Sequence, residues 1–277
     1  MTAKDKICSS QDLAAARSRK EKIDLRSLVI SDIHANLPAL HAVLAAAPKH
    51  DIVWNLGDIV GYGANPNEVV DLARRLGGIV VRGNHDRACS EIMHFSEFRE
   101  FSSVAADAVH WTKGVLTKAN KEWLAKLRRG PIWPILRKVQ CVHGAPQNEN
   151  EYIFLKENAR AALDGSRARI IFCGHTHRQG GWSLHRRELT PLKPEYQSSI
   201  CAEQFELPLQ KGCRYLVNPG SVGQPRDGDW RAAFAIYDEA QSLLTWHHVP
   251  YKVVTEQRRI RRAKLPEYLA TRLRSGT

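Results

Sequence analysis

The chain has 277 residues, 43% of them hydrophobic and 25% charged, enough for a sizeable core in one large α/β domain with additions or in two small domains. Its formal net charge is +12, from 41 basic and 29 acidic residues. No apolar run is long enough to span a bilayer, residues 1–22 hold no signal-like apolar stretch, and the six cysteines lack a C-x-x-C pair, so the expectation is a cytoplasmic protein with reduced thiols and no membrane partner.

Residues 1–22 read as a flexible tail with a short helix over Asp12–Arg17, followed by a main domain over 23–250 and a basic segment over 251–277. Leu25–Ile30 is the first expected strand and runs into Ser31-Asp32-Ile33-His34. In the helix after it, Asn36 can cap, Pro38 suits the first turn, and Leu37, Leu40, Leu44 and Ala47 share one face. Asp51–Trp54 is the second strand and ends in Asn55-Leu56-Gly57-Asp58. Asn65-Pro66-Asn67-Glu68 reads as an N-cap, a first-turn proline and a capping-box glutamate. Ile79-Val80-Val81 is the third strand, and it ends in Arg82-Gly83-Asn84-His85-Asp86.

Residues 87–130 read as helical, best over Val104–Trp111 and Lys118–Leu127, and are expected to cover a site as a cap. Ile132–Leu136 is an expected edge strand. Val139–Val142 is a core strand ending in His143-Gly144, Glu151–Leu163 an amphipathic helix, and Arg169–Cys173 a strand ending in Gly174-His175-Thr176-His177. Beyond it, Gly181–Leu184, Cys213–Val217, Ala232–Tyr237 and Ser242–Val249 suggest an antiparallel part of the sheet system. An insertion or extended hairpin is expected over 186–212, least defined at Leu189–Gln210, and a final helix over Pro266–Leu273.

The positive charge is uneven. Lys113–Lys138 carries eight basic residues and one acid, and Lys252–Thr277 carries eight against Glu256 and Glu267. A nucleic-acid footprint is one reading. A solvated basic face that attracts phosphorylated compounds is preferred, because no nucleic-acid module accompanies the charge.

Asp32, His34, Asp58, Asn84, His85, His143, His175 and His177 stand at the same end of five expected strands. A single histidine beside a core strand is more often a structural residue. Eight such groups buried together without partners cost about 1–3 kcal/mol for each one unsatisfied, and a metal pair removes that cost. Carboxylate, imidazole and amide-oxygen donors without thiolate suit two borderline divalent ions, Mn, Fe, Zn, Ni or Co. Seven ligands with one shared carboxylate leave open positions that can hold a bridging hydroxide and clamp a phosphoryl group for in-line attack.

This set resembles the calcineurin-like metallophosphoesterase superfamily. The matching motifs are Asp32-Ile33-His34, Gly57-Asp58, Gly83-Asn84-His85-Asp86, Val142-His143-Gly144 and Gly174-His175-Thr176-His177, in the family's order. The resemblance implies an α/β (α+β) fold, a four-layer αββα sandwich of mixed sheets with a dinuclear metal site at the strand C-terminal edge. It implies that Asp32, His34, Asp58 and His177 bind one metal, that Asp58, Asn84, His143 and His175 bind the other, and that His85 assists the leaving group. Mn is the expected ion in vitro. Gly57–Gly63 and Asn218–Asp227 look like the small bacterial and archaeal phosphodiesterases and phosphatases of the superfamily. Ser/Thr protein phosphatases carry Asp and Arg where this chain reads Gly61 and Tyr62, which lowers that reading. Arg226 is a substitute phosphate contact or a surface partner of Asp227 or Asp229, and Tyr62 either stacks on a leaving group or packs.

The expected function is therefore a metal-dependent phosphoesterase acting on phosphodiesters or small phosphomonoesters, with a phosphoester small molecule or nucleotide as partner. Its alternatives are a nuclease or dinucleoside polyphosphate hydrolase, a protein phosphatase, and a non-catalytic scaffold of the same fold. A homo-oligomer is compatible with the sequence.

Overall fold

The computed structural model describes residues 25–90, 101–135 and 138–277. The expected tail over 1–22 with its helix, residues 91–100 of the expected cap and Leu136 of the edge strand lie outside the described residues. The first elements are β1 (Arg26–Ile30), α1 (Leu37–Ala46), β2 (Ile52–Asn55), α2 (Pro66–Leu76), β3 (Ile79–Val80) and α3 (Asn84–Cys89). Then come α4 (Ser103–Val115), α5 (Lys118–Ala125), β4 (Ile132–Ile135), β5 (Val139–Cys141), α6 (Lys156–Asp164) and β6 (Ile170–Phe172). The chain continues through β7 (Gly180–His185), β8 (Glu188–Leu192), β9 (Glu203–Pro208), β10 (Arg214–Asn218), β11 (Ala232–Asp238) and β12 (Leu243–Val249). It closes with α7 (Val253–Arg262), α8 (Glu267–Thr271) and a 3₁₀ turn over Arg272–Arg274.

Two six-stranded mixed sheets face each other, ordered β3-β2-β1-β11-β12-β9 and β4-β5-β6-β10-β7-β8. The β3-β2-β1 and β5-β6-β10 runs are parallel, and the remaining pairings are antiparallel. Residue alternation assigns the layers. Val29, Trp54, Phe172, Val217 and Trp246 fill the space between the sheets. Leu28 and Ile30 point the other way, into a core with α1, α2, α4 and α7. Ile171 and Leu216 meet Ala159, Ala162 and Leu163 of α6 on the opposite outer face. The result is the four-layer αββα arrangement. Pro134 and Pro191 lie on β4 and β8, the two edges of the second sheet, where a missing N–H costs no ladder bond.

Several local expectations changed. Residues 186–212 divide between the two sheets and do not form one hairpin. β8 pairs with β7 in one sheet and β9 with β12 in the other, so the segment passes between sheets. Its alternating half-buried and exposed residues are those of edge strands. The helix expected from Glu151 begins only at Lys156, and residues 151–155 carry Tyr152 to its stack on His175, with ring centroids 3.8 Å apart. Asn65 makes no side-chain cap bond, because its Oδ1 accepts from Arg259 at 2.8 Å. The basic segment 251–277 is packed into the body, with Val253, Ile260, Leu265, Leu269 and Leu273 buried. Asn36 does cap α1, accepting from Ala39 N at 3.2 Å.

Candidate metal centre

The parallel strands deliver the ligands. The turns after β1, β2 and β3 in one sheet and after β5 and β6 in the other bring together the buried Asp32, His34, Asp58, His143, His175 and His177 and the half-buried Asn84. Ligand atoms of Asp32, His34, Asp58 and His177 lie within 4.8 Å of one another, and so do those of Asp58, His143 and His175. Asp58 belongs to both sets. Asn84 Oδ1 lies 3.1 Å from His143 Nε2 and so joins the second.

The ring orientations are held from behind. His34 Nδ1 faces Val60 O at 3.1 Å, His143 Nδ1 faces Leu56 O at 2.9 Å and His177 Nδ1 faces Gln224 O at 2.6 Å. Each of these N–H groups donates to a carbonyl and leaves Nε2 for the centre. His175 is turned the other way, with Nε2 on Asn150 O at 3.1 Å. His34 and His177 thus aim two Nε2 lone pairs at each other across 3.1 Å. Two acceptors at that distance repel unless a cation lies against both. With a shared carboxylate and no thiolate in the set, the residues fit a pair of borderline divalent ions.

Burial and the Asp58–His143 pair set the electrostatics of the group. Burial pushes His34 and His177 well below the ordinary imidazole value, His175 down to about 3 and His85 down to about 4, so these rings are neutral. Burial also raises Asp58, but the charge of His143 and its hydrogen bond outweigh it and hold the carboxyl well below its usual range. Burial lowers His143, and the Asp58 carboxylate overcomes this to lift it to about 9. Burial, with the Asp58 charge adding, pushes Asp32 up to about 7.

The backbone carries strain at the same place. Asp32, His34, Asp58, His175 and His177 have φ between 47° and 66°, a region that costs non-glycine residues on the order of 1–3 kcal/mol each. At Gly83 the constraint is contact. A Cβ there would lie 2.1 Å from Asp58 Oδ1 and 2.3 Å from Asp58 N.

Asp86 serves the backbone around the centre. Its carboxylate accepts from Asp58 N (2.9 Å), Ile59 N (2.8 Å), Val60 N (3.3 Å) and Gly83 N (3.0 Å), tying the turn after β2 to the turn after β3. Arg82 belongs to an ion pair with Glu149 at 2.9 Å, which Arg87 joins at 3.1 Å. Arg226 bonds neither Asp227 nor Asp229. It donates to Gln224 Oε1 at 3.0 Å and to Tyr62 OH at 3.5 Å. The Tyr62 ring lies 4.5 Å from that of His85 and 4.6 Å from that of His34.

A cleft of about 520 Å³ opens over the centre, lined by Tyr62, Asn84, His85, His175 and Arg226. It also includes Arg87, Tyr152, Tyr268 and Arg272, which sequence reasoning did not place there. Tyr152 lay in a stretch read as helix, and only the fold brings residues 268 and 272 to this wall.

Residues 25–179 match the model of the calcineurin-like phosphoesterase family. The chain is 34% identical over 259 residues to an uncharacterised protein of Methanocaldococcus jannaschii, covering 90% of this chain and 97% of that one. It is similar to the crystal structure of a metallophosphoesterase from Sphaerobacter thermophilus, with a TM-score of 0.77, 38% identity, and coverage of 92% and 100% of the two chains. A shorter match, 39% identical over 67 residues, joins 22% of this chain to 23% of a symmetrical bis(5′-nucleosyl)-tetraphosphatase of Yersinia enterocolitica. The chain belongs to the calcineurin-like phosphoesterase family. Its chemistry is accordingly the hydrolysis of phosphoester bonds at a buried Asp/His metal site.

Proposed function

We propose that this protein hydrolyses phosphodiesters or small phosphomonoesters, with Asp32, His34, Asp58, Asn84, His143, His175 and His177 holding two divalent ions. The shared position of Asp58 between the two ligand groups carries this reading. When bound, such ions neutralise charge on the phosphoryl group and activate water. The chain's own residues supply the rest. Arg226 offers guanidinium N–H donors to phosphoryl oxygens from the cleft wall. His85, packed between Tyr62 and Phe101 with ring centroids at 4.5 and 5.0 Å, has its Nδ1 buried without a partner. It is neutral alone, and an anionic phosphoryl group in the cleft raises its proton affinity, so that it can hold a proton for the leaving oxygen.

The test is hydrolysis of an aryl phosphodiester by Mn²⁺-loaded protein. His85→Ala is expected to lose about 10²–10⁴-fold in kcat, the ordinary scale of acid–base assistance, while metal content is retained. Full activity in the variant removes His85 from the reaction. A second reading, hydrolysis of dinucleoside polyphosphates, draws on the 67-residue match and on the aromatic lining of the cleft by Tyr62, Phe101, Tyr152 and Tyr268. No helix among the described residues is long and apolar enough to cross a membrane.

A further inference from the structure

The basic segment 251–277 brings Tyr268 and Arg272 into the wall of the cleft. The Arg272 guanidinium lies 5.0 Å over the Tyr268 ring, and its Nε donates to Thr277 O. Arg226 lies 5.8 Å over the Tyr62 ring, and its Nε is buried without a partner. Among the described residues neither arginine pairs with an Asp or Glu side chain, and no described Asp or Glu lines the cleft. Other arginines of the chain do have carboxylate partners. Arg82 and Arg87 share Glu149, and Arg231 is paired with Asp229.

The two guanidiniums also feel each other. Burial lowers the pKa of Arg272, and the Arg226 charge lowers it further. Two guanidiniums in one cleft whose described lining holds no carboxylate repel each other, and an anion arriving from solution relieves both. The Arg226 charge reaches Asp32, His34, His85 and His177 at the metal centre, and Arg272 lines the same cleft.

We propose that Arg272, in the same cleft as Arg226, forms a second anion subsite that takes the non-scissile phosphate of a substrate carrying at least two, a nucleoside di- or polyphosphate. The inference rests on the phosphoesterase reading and narrows its substrate class. The aromatic rings of Tyr62 and Tyr268, each already under a guanidinium, keep the two forks in place for oxygens of one phosphate chain.

The experiment compares AMP and ADP as inhibitors of aryl phosphodiester hydrolysis by the Mn²⁺-loaded full chain. ADP is expected to bind about tenfold or more tightly than AMP, the scale of one charged hydrogen-bond pair. In Arg272→Met that preference falls toward one. In Arg272→Lys, which keeps the charge and loses the fork, it falls part of the way, and this variant gives the same readout where methionine fails to fold. An unchanged ADP preference in both variants, or none in the wild type, overturns the subsite. If the wild type hydrolyses no aryl diester, the catalytic reading fails instead, and equilibrium dialysis of ADP against AMP on the same protein still decides the subsite.

Discussion

Gly83→Ala is the sharpest perturbation of the metal centre, because it adds one methyl group and leaves all seven proposed ligands in place. Gly83 has an ordinary extended backbone, φ −90° and ψ 171°, which alanine adopts without strain. The new Cβ would nevertheless sit 2.1 Å from Asp58 Oδ1 and 2.3 Å from Asp58 N. An ordinary contact needs about 3.4 Å, so the Asp58 carboxylate and its backbone must move by about 1 Å or more. That motion breaks the 2.8 Å bond from His85 N to Asp58 Oδ1 and pulls against the Asp86 bonds. Overpacking of this kind costs about 1–3 kcal/mol in stability. A 1 Å displacement of a reacting group costs about 10²-fold in rate. Because Asp58 is shared, the loss is expected to exceed what stability alone accounts for. Gly114→Ala is the comparator, since no atom lies within 4 Å of its built Cβ and it sits inside α4, where alanine stabilises by about 0.5–1 kcal/mol. Calorimetric titration with Mn²⁺ and thermal unfolding of both variants separate the effects. Native metal affinity in Gly83→Ala would refute the steric reasoning.

Asp86→Asn is expected to destabilise by about 2–5 kcal/mol, because an amide NH₂ must face two of the four backbone N–H groups that the carboxylate now satisfies. Urea unfolding measures it, and a change under 1 kcal/mol would show that the Asp86 bonds contribute little. Glu256 gives a pH-dependent prediction. It is fully buried on α7, its Oε1 accepts from Ala64 N at 3.0 Å, and burial raises its pKa from 4.5 to about 7. A raised carboxyl pKa means the folded state holds a proton that the unfolded state has released. The penalty is therefore absent below pH 4.5, grows through the window up to about 7, and is complete above it. Between pH 5 and 7.5 the wild type should lose stability on the order of 2–3 kcal/mol relative to Glu256→Gln, which keeps the acceptor for Ala64. Parallel unfolding curves for the two proteins across that range would contradict the assignment.

The candidate metal-binding residues were legible because each one punctuates a strand. Apolar runs ending in Asp32-Ile33-His34, Gly57-Asp58, Gly83-Asn84-His85, His143-Gly144 and Gly174-His175-Thr176-His177 expose both the sheet edge and the donor set. What stayed hidden depends on long-range contact. Helix α7 buries Glu256 and Gln257 beside Val253 and Ile260, so its inward face does not read as apolar. Strands β8 and β9 are edge strands with alternating exposure, and nothing local says that they join different sheets. Arg82 sits beside the site in sequence, yet its partner Glu149 is 67 residues away and its role is structural. Arg272 is distant in sequence and lies in the cleft.

The same contrast explains how the centre is held. Five of the seven proposed ligands have backbone in the left-handed region, on turns that glycine would adopt more easily. Glycine carries no donor atom, so the ligand residues must bear that strain themselves. The surrounding turns are tied down accordingly. Asp32 N bonds Gly57 O at 3.0 Å, His34 N bonds Asp58 O at 3.0 Å and Ala35 N bonds Ile59 O at 2.8 Å, joining the turn after β1 to the turn after β2. Asp86 then ties the turn after β2 to the turn after β3. Gly223 N on Asp32 O and Ser221 Oγ on Asp32 O bring in the loop after β10. That loop also holds His177 through Gln224 O and presents Arg226 to the cleft. The turns of the proposed ligands and Arg226 are therefore parts of one hydrogen-bonded framework, in which backbone strain at each of those residues is opposed by bonds to its neighbours.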